Sequence, residues 1–212
     1  MRPIPPIPTA IAGIPVPTDE VSDATWRWAH RTLPTYLLTH SVRAYCWGAA
    51  IGTSEGLAFD PQLLWTSSLM HDVGLARIPR NSMCFEVEGA EIARRFLERE
   101  GLSAERADTV AVAIILHMQP SVTLEDGAEA VLLDRSTGLD VRGNGYALVD
   151  ACRPAVMRAF PRGGIRSAFP RCDPPGGGDP TDLPERPLAA HRSPGRVDGD
   201  LTLGDRALVT AR

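Results

Sequence analysis

The chain of 212 residues contains no lysine; all 22 of its basic residues are arginine, as a very GC-rich gene would encode. Without lysine, and without a glycine-rich loop leading into one, a P-loop phosphate cradle is excluded. The net charge is -4 and no basic patch stands out, so nucleic acid is not an expected partner. No apolar run reaches the roughly 18 residues of a membrane span. The first residues, Met-Arg-Pro-Ile-Pro-Pro-Ile-Pro, lack the apolar core of a signal peptide. Cysteine is scarce: Cys46, Cys84, Cys152 and Cys172 show no CxxC spacing. They read as reduced thiols in a cytoplasmic protein rather than a disulfide framework. What remains is one domain with length enough for a sizeable core; the sequence leaves its oligomeric state open.

Strands are the next absence. No segment alternates convincingly with period two, so the fold class is all-α. Residues 1–18, rich in proline, read as an extended arm. The spacing predicts helices over 19–31 and 35–52, the first with acidic residues in its first turn and Pro34 beyond its end. Asp60-Pro61 is an N-cap followed by proline at the first helical position, opening a helix through His71 and Asp72 with Gly74 as its stop. Residues 75–83 read as a loop. Amphipathic helices follow over 86–100, ending at Gly101, and from Ser103 to near His117. Short helices are predicted over 124–137 and 145–159. After Phe160 the composition changes abruptly to proline and glycine, and 164–212 reads as an irregular tail. The helical domain is thus 19–163.

The chemistry sits in the apolar segments. His40 lies in one, the pair His71-Asp72 in the next, His117 closes a third, and Asp140 follows. Buried charge is costly unless it is paired or metal-bound. Imidazole and carboxylate are ligands of borderline divalent metals. Neighbours on a helix point about 100° apart, so His71 and Asp72 can both reach an ion over the seam between them. Two neutral imidazoles and two carboxylates would neutralise a divalent ion and leave positions for water. Arg43, one turn after His40, can bind substrate or form a structural ion pair.

These motifs carry a resemblance. His40-Ser41-Val42-Arg43, Leu69-Met70-His71-Asp72-Val73-Gly74-Leu75, Phe85-Glu86-Val87-Glu88-Gly89-Ala90, Ile115-Leu116-His117 and Gly138-Leu139-Asp140-Val141 occur in this order. Over about residues 20–163 the chain resembles the HD superfamily of metal-dependent hydrolases, and within it the cyanamide hydratase-like branch. The resemblance implies a helical fold, with metal ligands at His40, His71, Asp72 and Asp140. It places His117 in or beside the site; His117 and Asp72 are the candidate catalytic groups, and Arg43 is the candidate substrate-binding residue. Zinc is the implied metal, although two His and two Asp would also accept Mn or Fe.

Three functions compete. The first is hydration of a small nitrile-type substrate, cyanamide to urea, by metal-activated water. The second is phosphomonoester or nucleotide hydrolysis, with Arg43, Arg77 and Arg80 meeting the phosphate. The third is an inactive homologue with an altered C-terminus. The branch resembled here continues after Phe-Pro-Arg-Gly with a helix of the type Phe-Asp-Arg-x-Phe-Leu. Back-translating 165–171 and shifting by one nucleotide gives Phe-Asp-Arg-His-Phe-Leu, so a frame change near Gly163-Gly164 can account for the tail.

Overall fold

The structure, a computed structural model, describes residues 3–77, 84–142 and 147–163. The expected irregular tail over 164–212, and with it the frame-change reading, lies outside the described residues. So do most of the expected loop over 75–83 and residues 143–146.

The helical expectation holds. The helices are α1 (Glu20–Thr32), α2 (Thr35–Glu55), α3 (Pro61–Met70), α4 (Val73–Arg77), α5 (Phe85–Arg99), α6 (Ala104–Leu116), α7 (Ala128–Arg142), α8 (Ala147–Asp150) and α9 (Arg153–Ala159). Their ends follow local chemistry. Asp19 caps α1 by accepting from the Ser22 N–H at 3.0 Å. Asp60 caps α3 by accepting from the N–H groups of Gln62 and Leu63, with Pro61 at the position where a missing N–H costs nothing. Gly56 ends α2 at φ 67°, a left-handed conformation that suits glycine. No described helix is long and apolar enough to cross a membrane.

α2 is the central element. Its residues from Leu37 to Gly52 are buried on nearly every side, and it packs against α3 and α7. A helix apolar all round belongs inside a core. α5 and α6 form an antiparallel pair joined through Gly101, and α6 also packs against α3 and α7. Trp65 of α3 anchors one end of the core, stacked on Trp26 at 5.9 Å and met edge-on by Tyr45 at 4.9 Å. Such aromatic pairs contribute about 0.5–1.5 kcal/mol beyond the area they bury.

Four details depart from the sequence reading. The N-terminal arm is not simply extended: Ala10–Ile11 (β1) pairs antiparallel with Ile14–Pro15 (β2), turning through Ala12 and Gly13, both at positive φ. The arm is tied down, because Trp26 Nε1 donates to the Pro5 carbonyl and Tyr45 Oη to that of Pro15. Second, α7 is longer than predicted; a 3-10 turn over Leu124–Asp126 precedes it, and it then runs through Gly138 to Arg142. Third, the final helical stretch is split into α8 and α9.

The fourth concerns Gly74, which is not a stop. It lies inside α4, and a Cβ there would collide with the carbonyl of Phe85. Across the same contact, a Cβ on Gly89 would come within 3.3 Å of the Gly74 N–H. Glycine is needed at this point for close backbone approach, which brings α5 against the His71-Asp72 turn. Because backbone atoms cannot swing aside as a side chain can, Gly74→Ala should destabilise the protein by about 3 kcal/mol. Urea unfolding checks this; a loss within experimental error would mean that α4 and α5 can separate freely.

Candidate metal centre

α3 ends at Met70, and the chain turns through His71 and Asp72 before α4 begins. This turn presents both side chains toward His40 on α2. His40, His71 and Asp72 are each 1% exposed, and each offers a ligand atom within 4.8 Å of the other two. His71 Nε2 stands 3.2 Å from Asp72 Oδ2, and His40 Nε2 stands 3.7 Å from the same oxygen.

The other ring nitrogens fix the tautomers. His71 Nδ1 lies 2.8 Å from the Ser68 carbonyl, and His117 Nδ1 lies 2.6 Å from the Ile114 carbonyl. A carbonyl only accepts, so each Nδ1 carries the proton and donates it. His40 Nδ1 likewise donates to Asp140 Oδ2 at 2.8 Å. In all three neutral rings Nε2 is therefore the nitrogen with the free lone pair. This is the arrangement by which a metal-ligating histidine is oriented from behind.

The donor set also fits a divalent ion by its spacing and by what it lacks. Donors around a tetrahedral zinc stand roughly 3.3–3.5 Å apart, given bonds of about 2.0–2.2 Å. The two separations at Asp72 Oδ2 bracket that value. Oδ2 is also buried with no hydrogen-bond partner among the described residues. Burying an acceptor unsatisfied is expensive, and a cation would remove the penalty. Burial alone would raise the Asp72 pKa, but the His71 charge beside it prevails, and the carboxyl is pushed down to about 2. Burial pulls His71 down, yet the same carboxylate holds it above the ordinary imidazole value.

The five residues singled out in the sequence do not all converge. His117 caps the C-terminus of α6 and is 3% exposed. Its ring centroid is 5.0 Å from that of His71, and it lines the same cavity, but it falls outside the tight group. Burial and the His71 charge push its pKa down to about 4, so it is a neutral ring near pH 7.

Asp140 does not join the group either. Its two oxygens are taken by other donors: Arg43 Nε and Trp47 Nε1 on Oδ1, Arg43 Nη2 and His40 Nδ1 on Oδ2. It stands behind His40 rather than beside it. Burial would raise the Asp140 pKa, but the hydrogen bonds from Arg43 and His40 hold the carboxyl well below the usual range.

Arg43 is likewise not aimed at a substrate. It is fully buried; Nε and Nη2 grip Asp140, and Nη1 donates to the carbonyls of Phe160 and Pro161 at 3.1 Å. Of the two roles read from its sequence position, the structural ion pair is the one formed. Trp47 was missed, although His40, Arg43 and Trp47 follow the i, i+3, i+7 spacing of one helix face.

The cavity in front of the group holds about 400 Å³ and is lined by His40, His71, Asp72, His117 and one face of α7. The HD domain family model matches residues 37–142, half of the chain, from the start of α2 to the end of α7. That span contains His40, His71, Asp72 and His117, and Arg43, Trp47 and Asp140 behind them. Two proteins of Saccharomyces cerevisiae, the cyanamide hydratases DDI2 and DDI3, are each 27% identical to the chain over 161 residues. The matches cover 73% of this chain and 72% of theirs. The chain belongs to the HD domain family of metal-dependent hydrolases, in its cyanamide hydratase-like branch.

Proposed function

We propose that the chain is a metal-dependent hydratase of small nitrile-type substrates, converting cyanamide to urea. The observation that carries this reading is the unpartnered Asp72 Oδ2 at the end of a cavity where His40 and His71 also present free lone pairs. These three residues would hold the metal, with His117 beside them. Zinc suits two imidazoles and one carboxylate with a position left for water; Mn and Fe are the alternatives. A divalent metal held there would lower the pKa of a water toward neutrality and polarise the nitrile.

The chain's own groups divide the remaining work. His117 is buried and neutral, so its Nε2 can accept a hydrogen bond from the attacking water without adding positive charge. Water adds its oxygen to the nitrile carbon, and its proton goes to the nitrile nitrogen; His117 or Asp72 carries that proton across. The product isourea tautomerises to urea.

The phosphohydrolase reading has less behind it. Arg43 is consumed by Asp140, while the Arg77 side chain and Arg80 lie outside the described residues. The test is metal-stripped protein reloaded with zinc, manganese or iron and assayed on cyanamide, nitriles and phosphomonoesters. Zinc-loaded protein should release urea from cyanamide, and a chelator should abolish the activity. Loaded protein that cleaves nucleotides and leaves cyanamide untouched would reverse the assignment.

A further inference from the structure

Cyanamide has three non-hydrogen atoms, whereas a cavity of about 400 Å³ lies in the range that holds much larger ligands, roughly 300–1,000 Å³. The space beyond the metal centre is bounded by α7. Asp134, Thr137, Gly138, Val141 and Arg142 line it, at the three- and four-residue spacing of one helix face. Thr137 already donates its hydroxyl proton to the Leu133 carbonyl. The two charged residues are not committed in this way. Among the described residues neither the Asp134 carboxylate nor the Arg142 guanidinium makes an ion pair or a hydrogen bond, although the Asp134 backbone carbonyl accepts from the Thr137 hydroxyl. They do feel each other: Asp134 is half-buried, which raises its pKa, while Arg142 pulls it down.

Gly138 explains how Arg142 comes to be on this wall. The guanidinium lies where a Gly138 Cβ would be, so Arg142 folds back along α7 in the direction of Asp134. Any side chain at position 138 would evict it. The wall therefore presents a carboxylate acceptor and a guanidinium donor on one helix face, with little net charge between them. The complementary ligand group has an N–H donor beside a carbonyl acceptor.

We propose that Asp134, Gly138 and Arg142 form a subsite for the non-reacting end of the substrate, and that this end is a primary carboxamide or urea-like group. This rests on the nitrile reading for the end that reacts. The substrate class becomes a short nitrile or cyanamide carrying such a group. Asp134 accepts from its N–H and Arg142 donates to its carbonyl oxygen.

The experiment is calorimetric binding to the metal-loaded full-length chain of two nitriles of equal size, 2-cyanoacetamide and 3-methylbutanenitrile. Two hydrogen bonds to charged groups should make the amide bind at least about tenfold more tightly. Gly138→Ala favours the helix, so the fold is kept while the guanidinium is displaced. It should remove most of the preference, as should Asp134→Asn and Arg142→Gln. Equal affinities in the unaltered protein would overturn the proposal. So would a preference that survives Gly138→Ala and Asp134→Asn, which would leave Arg142 as no more than a cation at a helix C-terminus. Cyanamide turnover is measured separately: selective binding without urea release refutes the hydratase reading and leaves the subsite standing, and the reverse result does the opposite.

Discussion

Asp72→Ala should give a folded protein that no longer takes up a divalent metal, and His71→Ala should do the same. In the unaltered chain, zinc at about a hundred times its dissociation constant adds about 2.7 kcal/mol to folding. For a protein of this size that raises Tm by roughly 5–10 °C. In the Asp72 variant the rise should vanish, and urea release from cyanamide should vanish with it. Asp140→Asn is the informative contrast. As a ligand, Asp140 would be as necessary as Asp72. Placed behind His40, where it accepts a hydrogen bond from Nδ1, it orients the ring. Loss of such a supporting partner costs typically 10–100-fold in metal affinity rather than all of it. Competitive zinc titration separates the two outcomes: a weakened but saturable site supports the positioning role, and complete loss restores Asp140 to the ligand set.

The difference between the ligand role expected of Asp140 and its place behind His40 shows what the sequence could carry. The helices were legible because their signals are local. Asp60-Pro61 and Ser103 mark helix starts by side-chain chemistry, and Gly101 marks a stop, so these boundaries needed no partner to be read. His71 and Asp72 were legible because adjacent polar residues in an apolar run must be satisfied inside the core. Which partner satisfies which charge is a long-range question. Asp140 and Arg43 are 97 residues apart, and nothing local to either states that the guanidinium forks onto both carboxylate oxygens. Read alone, Asp140 has two oxygens free for a metal; read in the fold, it has four donors already. Gly74 failed for the same reason. As a local signal glycine says helix stop, while here it answers to the carbonyl of Phe85, eleven residues away across a helix contact. Asp134 and Arg142 carried no local signal, since a charged pair eight residues apart on a helix is ordinarily a solvated face.

Replacing Arg43 with methionine should cost about 3–5 kcal/mol, the range for removing one partner of a buried ion pair. In this protein that corresponds to a fall in Tm of roughly 6–20 °C. Methionine keeps much of the volume, so the loss is chiefly electrostatic. Asp140 would keep its bonds from His40 and Trp47 and the Arg162 guanidinium at 3.9 Å, but its nearest countercharge would be gone. The carbonyls of Phe160 and Pro161 would lose their shared donor as well, loosening the segment after α9. The pH dependence identifies the cause. In the unaltered chain the Asp140 pKa is depressed by the bonds from Arg43 and His40 against the opposing effect of burial. A depressed carboxyl pKa contributes stability that is fully present above the unfolded value near 3.9 and is lost as pH falls through the folded value. Without Arg43 that contribution shrinks, and burial pushes the carboxyl back up. The stability deficit of Arg43→Met should therefore be largest near pH 7 and narrow as pH falls toward 4, where the variant can protonate Asp140. Denaturant unfolding at pH 7 and at pH 4.5 measures the two deficits. Equal deficits would assign the loss to packing and backbone anchoring instead, and would remove the charge pair from the account of how His40 is held.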